Sequence, residues 1–212
     1  MEESAVYAYG VIEHESIEFQ TDGVDSANRA YTVDHPPLSA VVTDIQTVEP
    51  EQSAENTRIH NEVLQQVLQY DGGRTVVPMQ FGMAFRDANI LENLLEETRP
   101  AFTRAIEEVD GKVELGLKVL TPPSRRTIVD RESVRKDVSE WFDDLAVATT
   151  SGSMFSDLLV VNRSFLVDRD EREAFDRAVG GFQEEYQNLL VQYTGPWPPY
   201  SFVEIEIGAQ RQ

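Results

Sequence analysis

Hydrophobic and polar positions alternate most strictly over Val113, Leu115, Leu117 and Val119, with Lys112, Glu114, Gly116 and Lys118 between them. That period of two predicts a strand with one buried face. Ala5 to Ile12 and Leu38 to Ile45 are β-rich runs and predict two more, and Thr75 to Pro78 predicts a short strand ended by its proline. Ile59, Val63, Val67 and Tyr70 fall at helical spacing, so Ser53 to Tyr70 reads as a helix, stopped by Asp71-Gly72-Gly73. Ile90, Leu91, Leu94 and Leu95, then Phe102, Ala105, Ile106 and Val109, predict helix on either side of Pro100, where the ring should kink or restart it. The Asp-rich stretch from Gln20 to Asn28 reads as loop.

In the second half, Val134, Val138, Trp141, Phe142 and Leu145 line one side of a helix. Leu158 to Val161 and Phe165 to Val167 predict one or two strands, interrupted near Asn162-Arg163. A long helix is expected from Phe175 through Val179, Phe182 and Tyr186 to Leu190. Then comes Gly195-Pro196-Trp197-Pro198-Pro199-Tyr200-Ser201-Phe202, whose prolines fix φ and withhold backbone donors. It is expected to be a stiff connector, neither helix nor internal strand. Val203, Ile205 and Ile207 alternate after it and predict a final strand. Trp197 and Tyr200 on that lead-in either pack down as a lid or are offered to a partner.

Strands and helices in mixed order in both halves predict an α+β fold in two domains, residues 1–120 and 121–212, divided at Thr121-Pro122-Pro123-Ser124. There is no sequence repeat between the halves.

Composition narrows the function. The 212 residues carry a net charge of −20, which repels phosphate backbones and anionic lipid, so nucleic acid and membrane surfaces are not expected partners. The carboxylates are scattered, and lysine occurs only at Lys112, Lys118 and Lys136. Dispersed acid with little lysine is the pattern of a protein kept soluble in concentrated salt, where screening relieves self-repulsion. Absence of cysteine excludes disulfides and thiolate chemistry. No apolar run approaches the roughly 20 residues of a membrane span, and Met1-Glu2-Glu3 lacks the basic start of a signal peptide, so the cytoplasm is the expected location.

Candidate chemistry is sparse. His14, His35 and His60 have no partners at metal-ligand spacing, and neither a Gly-x-Ser-x-Gly elbow nor a phosphate-cradling glycine loop is present. No cofactor and no catalysis are expected. Two segments resist a bland account. Val77 to Phe85 clusters Met and Phe on irregular backbone, and Trp197 to Tyr200 displays aromatics on a rigid strip. Pro78, Phe81, Gly82 and Phe85 in the first, with Trp197, Pro198, Pro199 and Tyr200 in the second, are the candidate partner-binding residues; core packing is the alternative for each. Two other functional readings stay open. Arg163 beside Asn162 is the one adjacent pair that suits an acyl-phosphate hydrolase, and the proline strip suits an adaptor read as a polyproline ligand.

Five motifs in order, Tyr7-Ala8-Tyr9-Gly10-Val11, His60-Asn61-Glu62-Val63-Leu64, Val77-Pro78-Met79-Gln80-Phe81-Gly82, Gly111-Lys112-Val113-Glu114 and Gly195 to Phe202, resemble the gas vesicle protein F/L family, and within it an F-type member from a halophilic organism. Gln80 stands where family members commonly carry Arg. The resemblance implies an N-terminal ferredoxin-like variant followed by a smaller C-terminal α+β domain. It also implies an accessory protein of gas vesicle assembly, found in the cytoplasm and at the vesicle. Its implied partners are the small hydrophobic protein that builds the vesicle wall and other gas vesicle accessory proteins. On that reading, the Phe81 or Trp197 segment supplies the apolar docking patch.

Overall fold

The computed structural model describes residues 5–122 and 130–205, which fold as two compact units. The first takes the chain up to Asp110 and resumes at Val203; the second is Gly111–Phe202.

In the first unit, β1 (Ala5–Glu13), β2 (Glu18–Gln20), β3 (Arg29–His35), β4 (Leu38–Ile45) and β5 (Val76–Pro78) form an antiparallel sheet in the order β2-β3-β4-β1-β5. The two-residue strand β6 (Ala84–Phe85) also pairs with β1. Helix α1 (Ala54–Gln69) starts at Ser53, whose side chain accepts a hydrogen bond from the Asn56 N–H; α2 (Ala88–Val109) starts at Asp87, which accepts from the Ile90 N–H. Successive strand residues face opposite sides. Val6, Ala8, Val11, Ala40, Val42 and Val77 pack with Leu91, Leu95, Phe102 and Val109 of α2. Tyr7 and Gly10 face the other way, toward His60 and Leu64 of α1. The helices therefore cover opposite faces of the sheet, where a ferredoxin-like arrangement stacks both on one. β1 is buried from Ala5 to Ile12 because it lies inside the sheet and both helices touch it, as they touch β5. Each fully buried Val, Leu or Phe of such a core is worth roughly 1.5–3 kcal/mol.

Pro100 neither ends nor restarts α2, which runs unbroken for 22 residues. The proline is exposed, so the carbonyl its ring releases lies on the watered side of the helix.

The second unit has the sheet order β10-β7-β9-β8, with β7 (Lys112–Leu120) and β9 (Leu159–Asp168) central, and β8 (Ala148–Ser151) and β10 (Leu190–Trp197) at the edges. The strictly alternating strand 112–120 thus pairs with β9 and β10, in the second sheet rather than with the residues before it. Helices α3 (Arg131–Phe142) and α4 (Arg172–Glu185) cover one face. There Phe142, Phe165, Phe175 and Phe182 pack ring against ring at 5.0–5.8 Å. The α+β class expected from the sequence is the class observed, with two antiparallel sheets and four α-helices among the described residues.

Several local expectations are corrected. β9 is one continuous strand through Asn162-Arg163, because both residues keep their pairing to β7. Helix α4 stops at Glu185, and Leu190, expected to be helical, opens β10. Gly195, Pro196 and Trp197, expected in a connector, end that strand. An edge strand tolerates proline, since its missing N–H can face away from the ladder, and the pairing has a bulge between Thr194 and Trp197, where Pro196 lies. Val203 to Ile205 form no strand; Val203 and Ile205 pack on the first unit's core. Glu206 and Ile207 of the expected final strand lie outside the described residues.

Candidate partner-binding segments

Residues 76–85 run along one edge of β1 and leave it once. Val76 to Pro78 pair with Ile12 to Gly10, and Ala84 and Phe85 pair with Tyr7 and Val6. Between them Met79 N–H donates to the Tyr9 carbonyl (2.9 Å) and Ala8 N–H to the Met83 carbonyl (2.8 Å), so Gln80, Phe81 and Gly82 form the excursion. Gly82 has φ +94°, a conformation that side chains rarely adopt.

A hydrogen-bond chain fixes this excursion from beneath. The Met79 carbonyl only accepts, so the His60 Nε2 at 3.2 Å from it carries the proton. Nδ1 then accepts from the Tyr7 hydroxyl at 2.7 Å, and the Tyr7 oxygen accepts from the Gly82 N–H at 3.3 Å. Burial holds the His60 pKa down at about 4, partly opposed by the bond to Met79, and the neutral ring matches this pattern of one donor and one acceptor. Phe81 folds back onto the rings of Tyr7 and His60, with centroids 5.9 Å from each. Burial likewise pushes the neighbouring Tyr9 hydroxyl up to about 12, and that oxygen accepts from the Val24 N–H. Of the candidates here, Pro78, Phe81 and Phe85 are half-buried, and Gly82 is exposed.

The second segment is fixed by a carboxylate. Glu114 of β7 is only 7% exposed, and its two oxygens accept from the Ser201 N–H (2.7 Å) and Ser201 hydroxyl (2.6 Å). Charge-assisted bonds to both oxygens compensate the burial. Gly195 has φ +116°, and a Cβ there would stand 2.8 Å from the Glu114 carbonyl, so β10 runs this close beside β7 where only glycine fits. Trp197 is half-buried opposite Glu114, Pro198 and Pro199 are buried, and Tyr200 remains 38% exposed. Burial, and then the Glu114 charge, push the Tyr200 hydroxyl's pKa up. With its prolines buried or in a strand, this strip is not displayed as a polyproline ligand.

The structure thus gathers the first four candidates along one sheet edge and the other four around one turn, each in its own compact unit. Tyr7, His60, Glu114 and Ser201 hold these segments, and the sequence reading assigned none of them a role. Arg163 and Asn162 do not converge. As neighbours on β9 they face opposite sides, Arg163 toward Asp143 (2.8 Å) and Ser139 (3.0 Å), Asn162 toward the Ser153 carbonyl (2.9 Å). The hydrolase arrangement that needs both at one phosphate is therefore not formed.

The sequence pattern of the family described as gas vesicle synthesis protein GvpL/GvpF matches residues 5–136 and 124–204. The chain belongs to that family. Gas vesicle protein F of Haloferax mediterranei is 50% identical over 98% of this chain and 97% of its own length, and gas vesicle protein F1 of Halobacterium salinarum is 46% identical over 98% and 96%. Gas vesicle protein L1 of Halobacterium salinarum is 24% identical. The salt-adapted composition thus agrees with halophilic relatives. The crystal structure of GvpF from an Anabaena species shares the fold with a TM-score of 0.85 at 18% identity, covering 96% of this chain and 97% of that one. Membership in the GvpL/GvpF family is consistent with an accessory role in gas vesicles, and its named relatives are gas vesicle proteins.

Proposed function

We propose that this chain binds the hydrophobic wall-forming protein of the gas vesicle before assembly, keeping it from premature aggregation or helping to nucleate the vesicle. Family membership carries the reading, and the charge gives it a physical basis. A subunit that builds an apolar surface needs a partner with a small apolar contact and a strongly repelling remainder. Apolar side chains that are only partly covered, held at fixed positions on a protein of net charge −20, meet that description. Pro78, Phe81 and Phe85, with the exposed Gly82 turn, form one such contact, and Trp197 and Tyr200, carried on the buried Pro198 and Pro199, form the other. Cytoplasm and vesicle surface are the places where this partner is met, and other gas vesicle accessory proteins are further partners on the same reading.

The test is capture of the purified wall protein by the wild-type chain and by Phe81→Ala and Trp197→Ala. The clamp under the Phe81 loop uses backbone groups and the side chains of Tyr7 and His60, so Phe81→Ala removes a contact without removing that support. Weakened capture by either folded variant supports its segment as the patch. Unchanged capture by both leaves the patch elsewhere, and no capture by wild type overturns the function.

A further inference from the structure

The first sheet guards its edges, and the second leaves one open. In the first, β2 is three residues long and carries Glu18, β5 is three residues long and ends at Pro78, and β6 has two residues. Short length, charge and proline all refuse a further strand. In the second, β8 has four residues, Ala-Thr-Thr-Ser, with no large apolar side chain to bury. β10 differs. Its bulge and prolines blunt only the end from Gly195 onward, and Leu190 to Thr194 are paired to β7 on one side alone.

Among the described residues, none of Leu190 to Thr194 has a backbone hydrogen bond outside that ladder, so every second residue turns its N–H and C=O outward. No charge stands over them. From Tyr186 to Val203 the chain has no Asp, Glu, Lys or Arg, although 26% of its residues are charged. Leu190, at 50%, and its same-face neighbours Gln192 and Thr194 are exposed. On the other face Tyr193 is fixed against α4, stacked on Phe175 at 6.0 Å and donating to Asp176 at 2.5 Å. An open, uncharged edge held rigid in this way is a template for one kind of occupant, an extended strand.

We infer that β10 pairs with β10 of a second copy of this chain, antiparallel about a two-fold axis at Gln192, joining two four-stranded sheets into one. This register uses all five open residues. Gln192 faces the partner's Gln192, Val191 faces the partner's Tyr193, and Leu190 faces the partner's Thr194. Each pair lies on one face of the joined sheet, and no pair opposes like charges. The contact is short, and two copies of net charge −20 repel, so the dimer is weak in dilute salt. Concentrated salt removes that opposition, because the screening length falls to about 3 Å at 1 M. Such pairing goes beyond the function proposed above and needs no wall protein.

The experiment measures the mass of the full chain by light scattering over a concentration series in 2 M and 0.1 M KCl, and adds single cysteines to a chain that has none. Wild type is expected to dimerise in 2 M KCl and at least about tenfold more weakly in 0.1 M. Under mild oxidation in 2 M KCl, Gln192→Cys should link to itself, since directly opposite Cα atoms are about 4.5–5.5 Å apart and a disulfide spans up to about 7 Å. Leu190→Cys alone should not, its two copies being offset by about 13 Å along the strands, whereas Leu190→Cys mixed with Thr194→Cys should. Thermal melting confirms that each variant is folded. A wild type that stays monomeric in 2 M KCl overturns the inference. A dimer in which Gln192→Cys fails to link, or in which Leu190→Cys alone links as readily, also overturns it, because the copies then meet elsewhere or in another register.

Discussion

Glu114 and Ser201 lie 87 positions apart in the chain and meet through two hydrogen bonds to one buried carboxylate. This contact ties the turn after Pro198-Pro199 to the central strand β7. Removing the acceptor takes both charge-assisted bonds from the Ser201 turn, leaving its hydroxyl only the 3.4 Å contact to the Ser164 hydroxyl. Glu114→Ala is expected to destabilise the second unit by roughly 2–4 kcal/mol, Ser201→Ala by roughly 1–2, with strong non-additivity in the double variant. Denaturant melts of the four proteins check it; additive losses would deny the coupling.

His60 makes stability depend on pH in a defined direction. Its folded pKa is depressed from the ordinary 6.5 to about 4, so between those values the unfolded chain binds the proton and the folded chain does not. The contribution is complete above about pH 6.5 and is lost as pH falls toward 4, amounting to roughly 3 kcal/mol at the lower end. Urea melts between pH 7.5 and pH 4.5 should show this slope. His60→Asn, less stable at neutral pH, should have a shallower one.

Two glycines separate the two reasons for having no side chain. Gly195→Ala is opposed by positive φ and by the Glu114 carbonyl at 2.8 Å, whereas Gly82→Ala is opposed by φ alone, with nothing within 4 Å. The expected losses are about 3 kcal/mol or more and about 1 kcal/mol, measured by thermal or denaturant melting.

Charge predicts a response to salt. With a net charge of −20 on 212 residues, screening relieves repulsion in the compact state, so the melting temperature should rise from 0.1 M to 2 M KCl. A flat or falling curve would contradict the halophilic reading.

Much of this was legible in the sequence, and the exceptions have physical causes. β-rich runs located β1 and β4, period-two patterning located β7, and helical spacing located α1, α3 and most of α2. Strand β3 was missed because Arg29, Tyr31, Thr32 and His35 are all polar or half-buried and blur the alternation. Edge strand β8, Ala-Thr-Thr-Ser, has too little apolar character to stand out. The end of β10 was missed because Pro196 and the prolines after it argued against pairing, although an edge position removes that objection. The candidate segments were visible as motifs, but their supports were not, since Tyr7–His60 and Glu114–Ser201 join residues 53 and 87 positions apart. The five motifs resolve into two spatial groups. The Tyr7, His60 and Val77–Gly82 motifs meet at the first clamp, and the Gly111–Glu114 and Gly195–Phe202 motifs meet at the second.

Light scattering by the purified wall protein, diluted from denaturant into concentrated KCl with and without this chain, tests the central claim most directly. The account predicts that a stoichiometric amount of folded chain suppresses scattering and co-elutes with the wall protein. Unchanged scattering, with the two proteins eluting apart, would contradict it.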